Sequence, residues 1–267
     1  MLHLLCLVFL SSSAMGVYQP HPGARFQWQL EVDDQNPFQY SMQADLYDTD
    51  LWAVTTRDIT AIHAKGGKVI CYFSAGSYDH NRPDAGQFHA SDLGNKMDGW
   101  DEKWIDIRSS NVRRIMSARM DLAKSKACDG IEPDNVDGHE HGNANFGFTS
   151  SDQLNYNKWL ASEAHKRNLS IGLKNDAEQI PQLHTFFDWA LNEECHTVDG
   201  GRECDLYKPF LAEGKHLLKN KPTLFLFLLP AGRVQHRVRE WPPCECLRPA
   251  EVYVPPPQRY EHAVQGL

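Results

Sequence analysis

Two acidic clusters far apart in the chain hold the residues best suited to chemistry. The first is Asp129-Gly-Ile-Glu-Pro-Asp-Asn-Val-Asp-Gly138 and the second is Asn192-Glu-Glu194. Side chains alternate faces along an extended segment, so Glu132 and Asp134 point one way and Ile131 the other. In the second cluster, alternation from Trp189 puts Leu191 and Glu193 on one face and Glu194 on the opposite one. Carboxylates are costly to bury unless paired or used. One from each segment is therefore expected to face a shared opening. Cleavage of a glycosidic bond needs such a pair, one group protonating the leaving oxygen while the other attacks or activates water. Asp134 and Glu193 are the candidates, with Glu132 and Glu194 in reserve.

Further polar residues gather at the C-terminal ends of other apolar runs. Asp48, Ser74, Lys174 and Asp176 stand there, and with Tyr72, Glu132, Asn135 and Asn192 they form the candidate substrate contacts. The charge of Lys174 would lower a neighbouring carboxylate's pKa, a structural ion pair being the plainer alternative. Trp28, Tyr72, Tyr78, Trp100 and Trp104 could stack on sugar rings, although core packing explains any one of them more simply. His139-Glu-His141 reads as a solvated loop, because no other His or Cys motif supports a metal centre. Neither metal nor cofactor is expected. Serine chemistry lacks its Gly-x-Ser-x-Gly turn, of which Ser74-Ala-Gly-Ser77 is a loose echo.

The elements that must position these residues alternate in type. Strand candidates are 26–30, 44–51, 68–74, 130–135, 170–174 and 189–193, several rich in β-branched and aromatic residues and bounded by Gly or Asn. Helical periodicity covers 56–65, 111–125 and 151–167, the last starting at a capping serine and ending at Asn168. Strands alternating with helices imply a parallel sheet. No Gly-rich phosphate loop follows the first strand, which argues against a dinucleotide fold. Polar groups at the ends of several strands favour a closed (β/α)8 barrel.

The flanks differ from this body. The apolar run Leu4-Leu-Cys-Leu-Val-Phe-Leu10, followed by small residues, reads as a signal peptide over 1–16 and is too short to span a bilayer. The chain is thus expected to be secreted, with no membrane segment in the mature protein, and monomeric. Of seven cysteines, Cys6 falls in that leader. In an oxidising setting Cys195 is paired with nearby Cys204, and Cys71 with Cys128, each at or just before neighbouring strand candidates. Cys244 and Cys246 flank one residue and do not bridge to each other. Asn168-Leu-Ser170 is a glycosylation sequon. A net charge of −8 argues against nucleic acid. Residues 220–267 carry Pro230, Pro242-Pro243, Pro249 and Pro255-Pro-Pro257 and read as an irregular Pro-rich tail after a barrel domain over 17–219.

Five motifs together resemble glycoside hydrolase family 114. They are Cys71-Tyr-Phe-Ser-Ala-Gly-Ser77, Trp104-Ile-Asp-Ile-Arg108, Cys128 to Gly138, Gly172-Leu-Lys-Asn-Asp176 and Asn192-Glu-Glu-Cys195, in the family's order. The resemblance runs from about Phe26 to Gly214 and implies a TIM barrel. It implies cleavage of α-1,4-linked galactosamine polysaccharide by the pair Asp134 and Glu193. An endo-acting, retaining reaction with Asp134 as nucleophile and Glu193 as acid/base is the leading expectation, with inversion as the alternative at a wider carboxyl separation. Exo-cleavage of α-galactosides is the alternative, as is a sugar-binding protein without turnover. Two departures stand out. His196 replaces an aromatic residue, and Leu217-Leu-Lys-Asn-Lys-Pro222 replaces a further strand, so the barrel is expected to be incomplete at its C-terminal end.

Overall fold

The computed structural model describes residues 16–219 apart from 34–35, 41–42 and 142–144. The expected signal peptide (all but Gly16), the Pro-rich tail, Cys244 and Cys246 lie outside the described residues. In chain order the strands are β1 Phe26–Gln29, β2 Leu46–Asp50, β3 Lys68–Ser74, β4 Ser77–Tyr78, β5 Leu93–Lys96, β6 Lys103–Ile105, β7 Gly130–Asp134, β8 Ser170–Lys174, β9 Trp189–Asn192 and β10 Leu217–Lys219. Seven of them form one sheet in the order β1-β2-β3-β7-β8-β9-β10, with every neighbouring pair parallel. The crossovers carry α1 Thr56–His63, α2 Ser110–Lys126, α3 Ser150–Lys166, α4 Ile180–Leu183 and α5 Lys208–Ala212. The six strands and three long helices read from the sequence are present, with ends within two residues of those expected.

Local chemistry sets the helix starts. Thr55 and Asp58 form a reciprocal capping box at α1. Thr149 and Asp152 do the same at α3, so its cap lies ahead of the serine expected there.

Alternation along the strands sorts the core into two layers. Tyr47, Val69, Cys71, Phe73, Ile131, Ile171 and Leu173 face outward and pack beneath helix residues such as Ile59, Ile62, Ile115, Met116 and Leu160. Phe26, Leu46, Ile70, Trp189, Leu191 and Leu218 form a separate buried cluster inside the sheet. Phe26 is on one edge strand and Leu218 on the other, so the sheet curls until its edges share one interior. This is the anticipated (β/α) barrel, with seven strands among the described residues. Trp189 fills its lower interior, and its indole Nε1 donates to Ser170 Oγ at 3.0 Å. A Cβ at position 172 would come within 2.4 Å of that ring, so packing requires Gly172.

Two disulfides form as expected, Cys71–Cys128 between adjacent strands and Cys195–Cys204 across the loop after β9. Among the described residues no helix is long and apolar enough to cross a membrane. One element was not foreseen. Between β3 and α2, the short strands β4, β6 and β5 make an antiparallel sheet of their own.

Candidate active site

Two residues beyond the apolar interior layer, the same inward face turns polar. Trp28 follows Phe26, Asp48 follows Leu46, Tyr72 follows Ile70, Glu132 follows Gly130 and Lys174 follows Gly172. One further step along β7 and β9 brings Asp134 and Glu193 to the mouth. A cleft of about 650 Å³ opens above them. Its barrel side includes Trp28, Tyr72, Asp134, Asn135, Lys174 and Glu193, while Arg82, Met97, Asp98, Trp100, Glu102 and Trp104 come from the segment holding the small sheet.

Lys174 is the hub. Its ammonium lies 3.0 Å from Asp134 Oδ1, 3.1 Å from Glu132 Oε1 and 3.5 Å from Glu193 Oε2. Burial opposes the charge, yet the nearby carboxylates of Asp134, Glu132 and Glu193 outweigh it and hold the Lys174 pKa well above its usual value. Three carboxylate partners thus favour the charged form of this buried ammonium. Glu132 is fully buried and also accepts from Trp28 Nε1 at 3.0 Å. Asp134 receives Lys174 on one oxygen and the Tyr72 hydroxyl on the other, at 3.0 Å each, which fixes the carboxylate plane.

Glu193 sits in a different setting. Its side chain is 40 % exposed, and its pKa is raised by burial first, then by the charges of Asp134 and Glu132, with Lys174 opposing them. Asn175 donates to Glu193 Oε2 at 3.5 Å. One carboxylate is therefore clamped by donors while the other is pushed towards holding a proton. Because both touch one ammonium, Asp134 Oδ1 and Glu193 Oε2 can be no farther apart than their 3.0 and 3.5 Å legs laid end to end. That limit reaches only the short edge of the ~6.5–9.5 Å typical of inverting enzymes and allows the ~5–5.5 Å of retaining ones.

The sequence pattern of glycoside-hydrolase family GH114 matches residues 10–219. The chain belongs to that family. It is accordingly a glycosidase. Among solved structures it is similar to Aspergillus fumigatus Ega3 in complex with galactosamine, at 41% identity and a TM-score of 0.70 over 76% of this chain and 79% of that one. The glycoside hydrolase domain of PelA from Pseudomonas aeruginosa shares the fold at 16% identity and a TM-score of 0.51, over 73% of this chain and 82% of that one. No curated protein matches.

Within this GH114 barrel the anticipated site residues divide into two groups. Asp134, Glu193, Tyr72, Asn135 and Lys174 line the cleft. Asp48, Glu132, Ser74, Asp176 and Asn192 lie behind its wall, each at most 9% exposed. Asp48, with Glu132 and Lys174 close by, is held far above the ordinary carboxylate range, by burial first and then by the charge of Glu132. Ser74 Oγ accepts from Asn135 Nδ2 at 2.8 Å. Asn135 itself is left-handed, at φ 59°, and a Cβ on Gly76 would strike its carbonyl oxygen at 1.7 Å, so this turn closes only over glycine. Asn192 caps the following loop, its Oδ1 accepting from the Glu194 and Cys195 amides. The reserve carboxylate Glu194 is exposed and outside the cleft.

Several cleft residues had no sequence signal of their own. Arg82, Met97, Asp98 and Glu102 arrive on the small-sheet segment, where Tyr78, Trp100 and Trp104 stand out as sugar platforms; Trp100 and Trp104 line the cleft, while Tyr78 packs edge-on against Phe88 instead. Asn175 lines the cleft and bonds Glu193, although it had figured only as the middle of the Lys174–Asp176 run.

Proposed function

We propose that the protein is a secreted, endo-acting retaining glycosidase that cleaves α-1,4-galactosaminidic bonds in galactosamine-containing polysaccharide. The observation that carries this reading is the shared contact of Asp134 and Glu193 with Lys174 at the cleft mouth. Asp134, ionised and oriented by Lys174 and Tyr72, attacks the anomeric carbon. Glu193 gives its proton to the leaving glycosidic oxygen, whose bond to that carbon breaks. A glycosyl ester on Asp134 results. Glu193, now ionised, takes a proton from water, the water oxygen attacks the same carbon, and Asp134 leaves as carboxylate.

The cleft's charge supports an amine-bearing substrate. Glu31, Asp98, Glu102, Asp134, Asp137 and Glu193 line it against Arg82 and Lys174. Arg82 is itself paired with Asp50 and Asp79. An acidic cleft of this kind concentrates a polycation. The likeness to Ega3, solved with galactosamine, points the same way.

The test is incubation of the purified chain with polygalactosamine and, separately, with a synthetic α-galactoside. Reducing ends are expected from the polymer, with a rapid fall in its chain length. Asp134→Asn should lose the activity. Glu193→Gln should lose about 10²–10⁴-fold in rate. Release from the α-galactoside alone, or an unchanged rate in either variant, would overturn the assignment.

A further inference from the structure

Just outside the cleft lining, the loop after β7 and the end of β8 bring His139, Glu140 and Asp176 together. The His139 side chain is 5% exposed, yet neither ring nitrogen has a hydrogen-bond partner. The nearest carboxylate oxygen, Glu178 Oε2, stands 3.6 Å from Nε2. Asp176 is 1% exposed. Its Oδ2 accepts from Asn157 Nδ2 at 2.8 Å, while Oδ1 has no partner. Unmet buried polar atoms each cost about 1–3 kcal/mol, and here two side chains turn such atoms towards one point.

That point is close to the dimensions of a cation site. One donor atom from each of His139, Glu140 and Asp176 lies within 4.8 Å of the others. Tetrahedral ligand bonds of roughly 2.0–2.2 Å set donors about 3.3–3.6 Å apart, so the three need to draw in by about 1 Å. Glu140, 40% exposed, is free to close the remaining gap. We propose that His139, Glu140 and Asp176 bind a divalent cation of the zinc class, with Glu178 as a fourth ligand.

The donor set favours that class. An imidazole beside carboxylates suits zinc-like ions, whereas calcium takes an all-oxygen shell. An outer layer is also in place. Gln153 Nε2 donates to Asn157 Oδ1 at 2.9 Å, and Asn157 in turn orients Asp176. His141, the other histidine of the His-Glu-His run, takes no part. It stacks on Trp104 with ring centroids 4.9 Å apart. Folding substitutes Asp176 for it, from the turn after β8. A bound ion would tie the β7 loop to the residue beside Asn175 and so brace the wall that carries the Glu193 hydrogen bond.

The experiment is calorimetric titration of the chelator-stripped full chain with Zn²⁺, together with thermal melts. One Zn²⁺ per chain is expected, with a melting temperature that rises and then saturates. Glu140→Gln changes an exposed side chain and should fold normally, yet weaken binding by about tenfold or more. His139→Gln and Asp176→Asn should act in the same direction. Absence of binding heat in the parent chain would overturn the proposal, as would unchanged affinity in both Glu140→Gln and His139→Gln. None of these readouts depends on sugar hydrolysis.

Discussion

The phenol of Tyr72 donates to Asp134 Oδ2 at 3.0 Å, and it does so as a neutral group. Burial first, then the charges of Asp134 and Glu132, hold its pKa well above the ordinary tyrosine value. Tyr72→Phe removes this donor but leaves Lys174 on the other oxygen. Loss of one such bond is worth about 1–2 kcal/mol, so kcat on polygalactosamine should fall roughly 5–30-fold with little change in thermal stability. A variant as fast as the parent would show that Tyr72 does not orient the nucleophile.

The proposed acid makes a pH prediction. Glu193 must be protonated when cleavage starts, and burial with the charges of Asp134 and Glu132 raises its pKa. The alkaline limb of the kcat/KM profile should therefore lie above the ~4.3 of an ordinary glutamate. Asn175 donates to the ionised form and so opposes the rise. Asn175→Ala should move the limb further alkaline. Movement towards acid would show that another group sets it.

Asp48 links stability to pH. Its folded pKa is raised well above the usual value, by burial first and then by Glu132. The unfolded chain ionises it above about pH 4, so folding at neutral pH must supply a proton. The stability it contributes is full below that pH and is lost as pH rises towards the raised folded value. Asp48→Asn is a neutral isostere. Between about pH 5 and 8 its melting temperature should decline less steeply than the parent's. Parallel declines would assign the proton to another buried group.

Packing under the site gives a fourth prediction. Gly172→Ala drives a methyl into the Trp189 ring and should cost about 1–3 kcal/mol in denaturant unfolding. Paired with Trp189→Leu, which empties the space, the two losses should fall well short of additive. Additive losses would mean that the ring does not set the limit at position 172.

Much of this architecture is legible in the residues because strand alternation and helix capping are local. The same two-residue step that put Glu132 and Asp134 on one face in the sequence brings both to Lys174 in the fold. Alternation fails at Asp176. Counting on from Lys174 would turn it inward, but Asn175 and Asp176 both adopt left-handed backbone, at φ 48° and 46°, and send it to Asn157 instead. Strands β4, β5 and β6 span two to four residues, and β5 pairs irregularly, so no period could reveal them. The run from Leu217 was expected to stand in place of a strand, yet Leu217–Lys219 forms β10 and pairs in parallel with β9, three residues being too few for a period to show. Lys174 itself is a nonlocal result, since its three partners come from two other strands.

The small antiparallel sheet enters the chain between one barrel strand and the next helix, and it brings Met97, Asp98, Trp100 and Glu102 to the cleft without supplying any of the Lys174 partners. Part of the cleft wall and the residues proposed to break the bond therefore lie in separate stretches of sequence. Substitutions at Met97, Asp98 or Trp100 are expected to change substrate affinity before they change the Lys174 cluster.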